Sequence, residues 1–79
     1  MFVVYAIKSK TKNFIYVWMT SNLSRRINDH QNWKNLSTKW FIPFELIYTE
    51  EYVTSSDARK REKFLKSWVG KEMLKLKIK

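Results

Sequence analysis

The chain has 79 residues, and its 16 Lys and Arg against seven Asp and Glu leave a formal net charge of +9. It has no cysteine and a single histidine, which excludes a disulfide framework, a thiolate zinc site and any paired-histidine metal motif. Any metal must then be a hard cation held by oxygen, and so large a basic excess points to a polyanionic partner, nucleic acid ahead of an anionic membrane surface.

A chain of this length buries only about 60–65% of its unfolded surface, so a single domain over residues 1–79 is expected. Four Trp, four Tyr and five Phe compensate for the thin core with large apolar surfaces. The opening run Phe2 to Ile7 is too short for a secretory signal and lacks a basic lead. Nothing approaches the ~20 apolar residues of a membrane span. A cytoplasmic protein with no membrane association is the expectation.

Taken in order, Phe2-Val-Val-Tyr-Ala-Ile7 is β-branched and aromatic and reads as a strand. Lys8 to Asn13 is a polar connection, and Phe14-Ile-Tyr-Val-Trp18 returns as the second arm of a hairpin. A turn centred on Ser9 to Lys12 pairs positions summing to about 21, which sets Tyr5 opposite Tyr16. Thr20, Ser21 and Asn22 offer N-cap oxygens, and Leu23, Ile27 and His30 follow at helical spacing, predicting a helix to about Trp33. The polar stretch 32–40 reads as a loop. Pro43 leads into Phe44-Glu-Leu-Ile-Tyr48, a third strand. Thr54 with Asp57 three residues later is a capping pattern that opens a second helix through about Trp68. Gly70 breaks it, and residues 71–79 resume as a short helix with Met73, Leu74 and Ile78 on one broad apolar side. The order is β-β-α-β-α-α, an α+β (α/β) domain whose three-stranded antiparallel sheet must be covered by helices.

Tyr5 and Tyr16 have an ordinary role available to them as an aromatic cross-strand pair, worth about 0.5–1 kcal/mol. Arg26 and His30 lie four apart on one helix and can point to one place. An arginine beside it keeps the imidazole neutral and able to accept a proton, while the guanidinium itself binds phosphate. Glu62 stands in Arg59-Lys-Arg-Glu-Lys63, where ordinary pairing with Lys66 at i,i+4 is available. Ala58, Glu62 and Leu65 nevertheless share the face turned to the sheet, where an unpaired carboxylate is costly and a metal would offset the cost. The C-terminal nonapeptide can also be read as a membrane-surface helix, though closing the core suits its length better.

In this order and spacing the elements resemble the GIY-YIG nuclease domain, notably its small stand-alone bacterial members, and are more distantly similar to the N-terminal nuclease domain found in excinuclease. Val3-Val4-Tyr5 stands at the GIY element and Tyr16-Val17-Trp18 at YIG. Thr20 to His30 matches the family's first helix, 43–48 its third strand and 58–66 its second helix. The resemblance implies a DNA endonuclease dependent on one Mg²⁺ or Mn²⁺ ion, in repair or recombination. Tyr5, Tyr16, Arg26 and His30 fall on its catalytic positions and Glu62 on its metal position. Arg26 would stabilise charge on the phosphoryl group. Tyr5, Tyr16 and His30 all remain candidates for taking the proton from water, with Tyr5 favoured, His30 assisting and Tyr16 orienting. Lys8, Lys10, Lys12, Lys34 and Lys39 would contact the phosphate backbone without reading sequence. A protein partner would then supply specificity.

Two positions depart from the family pattern: the YIG glycine is Trp18, and a glycine common at the second-helix exit is Trp68. The C-terminal asparagine of many members has no counterpart after Gly70. Two other readings stand beside the nuclease. The same fold, with Trp18 occluding the site or stacking on a base, would serve as a catalytically impaired nucleic-acid-binding module; the other is a basic interaction domain unrelated to nucleic acid.

Overall fold

The computed structural model describes residues 1–32 and 42–77. Its elements are β1 (Phe2–Ser9), β2 (Ile15–Thr20), α1 (Leu23–Gln31), β3 (Phe44–Tyr52), α2 (Ser55–Lys66) and α3 (Trp68–Lys77), in the expected β-β-α-β-α-α order. The three strands form one antiparallel sheet with the order β2-β1-β3.

β1 lies in the middle, which explains why its apolar run does not alternate. Val4, Tyr5, Ala6 and Ile7 are all buried, because both faces of the central strand are covered. Val4 and Ala6 join Ile15, Val17, Ala58, Leu65 and Leu74 in a core under α2 and α3. Tyr5 and Ile7 face the other way, packing with Phe44, Tyr16, Trp18, Leu23 and Ile27 under α1.

The hairpin register differs from the sequence expectation. Tyr5 pairs with Trp18 and Ile7 with Tyr16, so paired positions sum to 23. The cause is a shorter connection, because β1 continues through Ser9. Ser9 N–H donates to the Phe14 carbonyl at 3.0 Å, closing the loop around Thr11 and Lys12. The Ser9 hydroxyl oxygen accepts from the backbone N–H groups of Thr11 and Lys12 at 3.2 and 3.1 Å. A shift of two in the sum keeps every side chain on its predicted face, so Tyr5 and Tyr16 become diagonal neighbours on that face instead of a directly opposed pair.

The first helix ends at Gln31, with Asn32 as its C-cap; the predicted end at Trp33 lies outside the described residues. β3 enters through a cis Ile42–Pro43 bond and runs on to Tyr52, four residues past the expected end. Near its start, β3 is tied to α1 by the Gln31 side chain. The amide nitrogen donates to the Phe44 carbonyl, and the amide oxygen accepts from Phe44 N–H, both at 2.9 Å. Gln31 is itself exposed but its partner Phe44 is buried, so Gln31→Ala strands both backbone groups of Phe44 and should lower stability by about 1–3 kcal/mol, measurable by urea denaturation with an unchanged slope. Farther along β3, Glu50 accepts from the Tyr48 and Tyr52 hydroxyls and lies 3.0 Å from the Arg61 guanidinium, fastening the strand to α2.

Thr54 caps α2 as expected, its hydroxyl accepting from Asp57 N–H at 3.2 Å. The break after α2 falls elsewhere than predicted. Ser67, not Gly70, ends the helix, and α3 begins at once with Trp68. The Ser67 hydroxyl donates to the Phe64 carbonyl and also accepts from Gly70 N–H, serving the end of one helix and the start of the next. Gly70 sits inside α3, buried against the last turn of α2. A Cβ there would meet the Phe64 carbonyl oxygen and approach Leu65 Cα within 2.5 Å. Its glycine is therefore required by close helix approach, with no left-handed backbone involved. Met73 and Leu74 pack into the core as expected; Ile78 lies outside the described residues.

Candidate active site

The site grows from the centre of β1. Tyr5 projects onto the α1 face and is fully buried. Above it, α1 starts at Asn22, whose side chain accepts from Arg25 N–H at 3.2 Å. Two turns later the helix delivers His30, 1% exposed, into the same face. The Tyr5 hydroxyl and His30 Nε2 are hydrogen-bonded at 2.9 Å. Tyr5, Tyr16 and Phe44 surround the imidazole edge-on, with ring centres at 5.9, 5.1 and 6.0 Å. Arg26 lies one turn before His30 and pairs loosely with Asp29 at 4.0 Å.

This setting fixes the protonation of the pair. Burial pushes the Tyr5 phenol up to about 12, against opposing pulls from a hydrogen bond with Arg26 and from its charge. Burial also pushes His30 below 6.5, and the Arg26 charge adds to that push, with Asp29 opposing. At neutral pH the phenol is therefore protonated and the imidazole neutral. Nε2 can then accept the phenol's proton when the ring carries its own on Nδ1. A free Tyr5 phenolate, the species that would act as base alone, is strongly disfavoured.

Glu62 is presented by α2 and is 1% exposed. Ala58 and Leu65 are buried beside it on the same face, as the helical spacing requires. Arg59 donates to Glu62 Oε1 at 3.1 Å. Lys66 Nζ lies 3.2 Å from Oε2, within ion-pair range, yet it is not oriented to hydrogen-bond. Among the described residues no hydrogen bond reaches Oε2. Glu62 also acts electrostatically on Tyr5, raising its pKa slightly.

Trp18 joins the two halves. It stands in the β-ladder opposite Tyr5, so this position needs no glycine for its backbone. Its indole stacks on Tyr16 at 6.3 Å, and Lys66 Nζ and the Arg59 guanidinium sit over the ring at 3.9 and 5.8 Å. The same two cations thus serve both Trp18 and Glu62. Sequence pairing anticipated Lys66; it missed Arg59, although the i,i+3 spacing to Glu62 carried the signal. Gln31 and Phe44, which frame His30, had no local sequence signature.

Lys10 and Lys12 are exposed in the hairpin connection, with Lys10 N–H donating to the Pro43 carbonyl at 2.8 Å. Lys8 is half-buried and donates to the Ser9 carbonyl at 3.2 Å. Lys34 and Lys39 lie outside the described residues. A cleft between the start of β2 and α3, lined by Asn13, Phe14, Ile15, Lys71 and Lys75, is separate from this cluster. There the Lys71 ammonium donates to the Ile15 carbonyl. Among the described residues, no helix is long and apolar enough to cross a membrane, and no three His, Cys, Asp or Glu side chains gather to hold a metal.

A three-stranded antiparallel sheet under α1 brings Tyr5, Tyr16, His30 and Arg26 to one face of a small α+β domain. The model of the GIY-YIG catalytic domain matches residues 1–76, and the chain belongs to that family. It is 34% identical over 74 residues to a UPF0213 protein of Staphylococcus epidermidis, covering 92% of this chain and 89% of the relative. A UPF0213 protein of Staphylococcus haemolyticus matches at the same identity and coverage, and one of Staphylococcus saprophyticus at 32%. No solved structure matches. Membership implies nuclease-type activity on nucleic acid, in a family whose nucleases generally depend on a divalent metal.

Proposed function

We propose that this protein is a divalent-metal-dependent endonuclease that hydrolyses phosphodiester bonds in DNA, in repair or recombination, as a single domain over residues 1–79. The observation that carries this reading is the buried Tyr5–His30 hydrogen bond, set beside Arg26 and within electrostatic reach of Glu62. The Tyr5 hydroxyl is closed to solvent in the free protein; a water admitted to it in the substrate complex would give its proton to the phenol oxygen as the phenol passes its own proton to His30 Nε2. The resulting hydroxide would form the new P–O bond while the bond to the departing sugar oxygen breaks. Arg26 would stabilise the charge gathering on the phosphoryl oxygens. Tyr16 would orient the imidazole through its edge contact.

Glu62 would hold the ion. Its Oε2 is a hard oxygen that no hydrogen bond reaches among the described residues, which fits a magnesium or manganese ion that takes one carboxylate and completes its shell with water and substrate oxygens. When bound, that ion supplies Lewis-acid stabilisation of the leaving oxygen. Lys8, Lys10 and Lys12 are suited to backbone contacts, as are Lys34 and Lys39, and such contacts give affinity without sequence choice. A protein partner would select the substrate, and the cytoplasm is the expected place of action.

Nicking of supercoiled plasmid in Mn²⁺ tests this reading. Glu62→Gln should lose at least about 10²-fold in rate, because several kcal/mol of charge stabilisation go with the ion, while circular dichroism remains native. One observation favours a second reading, a binding module without catalysis: Arg59 and Lys66 already neutralise Glu62. That reading prevails if wild type and Glu62→Gln are equally inert yet bind DNA with a steep salt dependence.

A further inference from the structure

Glu62 and Trp18 share their cations. Lys66 Nζ lies 3.2 Å from Glu62 Oε2 and 3.9 Å from the centre of the Trp18 ring, so one ammonium is held between a carboxylate and an aromatic face. Arg59 hydrogen-bonds the other carboxylate oxygen, Oε1, at 3.1 Å and lies farther from the ring, at 5.8 Å. Lys66 reaches Glu62 at i,i+4 along α2, a spacing that any helix would permit. Trp18 belongs to β2, and its indole adds a second attraction for the ammonium from outside the helix. Cation–π contacts of this kind are strongest where water is excluded. The Glu62 carboxyl is buried, whereas the Lys66 side chain is 41% exposed. Oε2 is thus held against a cation whose own side chain has room to swing outward.

We propose that Lys66, pinned by Trp18, is a built-in counter-cation for Glu62 that a divalent ion must displace, so that Trp18 and Lys66 together set the protein's metal affinity. The inference rests on Glu62 being the metal ligand. Two cations cannot share Oε2 at close range without strong repulsion in a buried setting. An incoming divalent ion therefore expels the ammonium from Oε2 and, with it, from the indole face. Trp18 raises the threshold for that exchange, so the tryptophan standing at the YIG glycine tunes metal occupancy without blocking the backbone. In the metal-free state the same ammonium, with Arg59 on Oε1, places positive charge against the buried carboxyl.

The test follows Mg²⁺ and Mn²⁺ binding by NMR and calorimetry, independently of any cleavage. In wild type the Lys66 ε-methylene protons should resonate upfield, shielded by the indole ring. They should move toward their free-chain position as Mg²⁺ is added, in step with the Glu62 carboxyl carbon. Lys66→Met keeps the aliphatic stem and should tighten Mn²⁺ binding by about tenfold, the scale of a charge-assisted contact that no longer has to be broken. Trp18→Leu should tighten it less, since only the pin is removed, and Lys66→Arg should not tighten it. Thermal melts without metal identify any variant that fails to fold, and the wild-type NMR titration stands without variants. If the Glu62 carboxyl shifts while the Lys66 protons stay shielded, or if Lys66→Met binds Mn²⁺ no more tightly, Lys66 is not displaced and the proposal is overturned with Glu62 still the ligand. If neither resonance responds at millimolar metal, the metal role of Glu62 falls as well.

Discussion

Gly70→Ala is expected to lower the melting temperature by roughly 10–20 °C. The new Cβ would run into the Phe64 carbonyl oxygen, with Leu65 Cα and its carbonyl carbon 2.5 and 2.8 Å away. All three are backbone atoms of α2, so no flexible side chain can yield; the two helices must part. Overpacking of this kind costs about 1–3 kcal/mol and sometimes more, and in a domain of this size each kcal/mol shifts the midpoint by about 4–8 °C. The separation would also disturb Leu65 and Leu74, which close the core on that side of the sheet. Val69→Ala is the control: one position earlier on α3 but 58% exposed, it should change stability by no more than about 0.5 kcal/mol. A Gly70→Ala protein melting within a few degrees of wild type would mean that α2 and α3 are not in this close approach.

Tyr5→Phe is expected to reduce nicking by about 10²–10⁴-fold, the usual contribution of a positioned proton-transfer group. The ring, its burial and its contacts with His30 survive the change; only the hydroxyl that bonds Nε2 is lost. A fall in rate without loss of structure would thus isolate proton transfer from packing. If the Phe variant nicks at the wild-type rate, Tyr5 is only a core aromatic and the proton leaves water by another route.

The same pair makes a stability prediction. Because His30 is held below 6.5, the unfolded chain takes up a proton below that pH which the folded protein refuses. Stability should therefore be flat above pH 6.5 and fall on acidification below it. His30→Gln should abolish that slope between pH 7 and 5. The window stays clear of Glu50, which the Tyr52 hydrogen bond holds below 4.5 and which loses its own stabilising contribution only at lower pH.

Much of this was legible in the chain. β-branched and aromatic runs, the Thr54 cap and helical spacing of Leu23, Ile27 and His30 report local preferences and face assignments, which short-range chemistry determines. Register and helix boundaries escaped because they depend on single hydrogen bonds. Ser9 lengthened β1 and moved the hairpin pairing by two, and Ser67 ended α2 where a glycine had been expected to do so. Gly70 showed the limits of composition most clearly: a residue that breaks helices in isolation stands inside one, because a neighbouring helix leaves no room for a side chain.

The α+β class, the family resemblance, the basic charge and the identity of the candidate residues can all be read along the chain, since they depend on residue type and spacing. What those residues do to one another depends on how the chain packs. Burial keeps Tyr5 protonated and His30 neutral, because desolvation penalises a charge whatever the sequence around it. Two α2 cations reach both a buried carboxylate and a β2 indole, because α2 packs against β2. Trp18, a missing glycine when read along the chain, is in space the platform on which the countercharge of Glu62 rests.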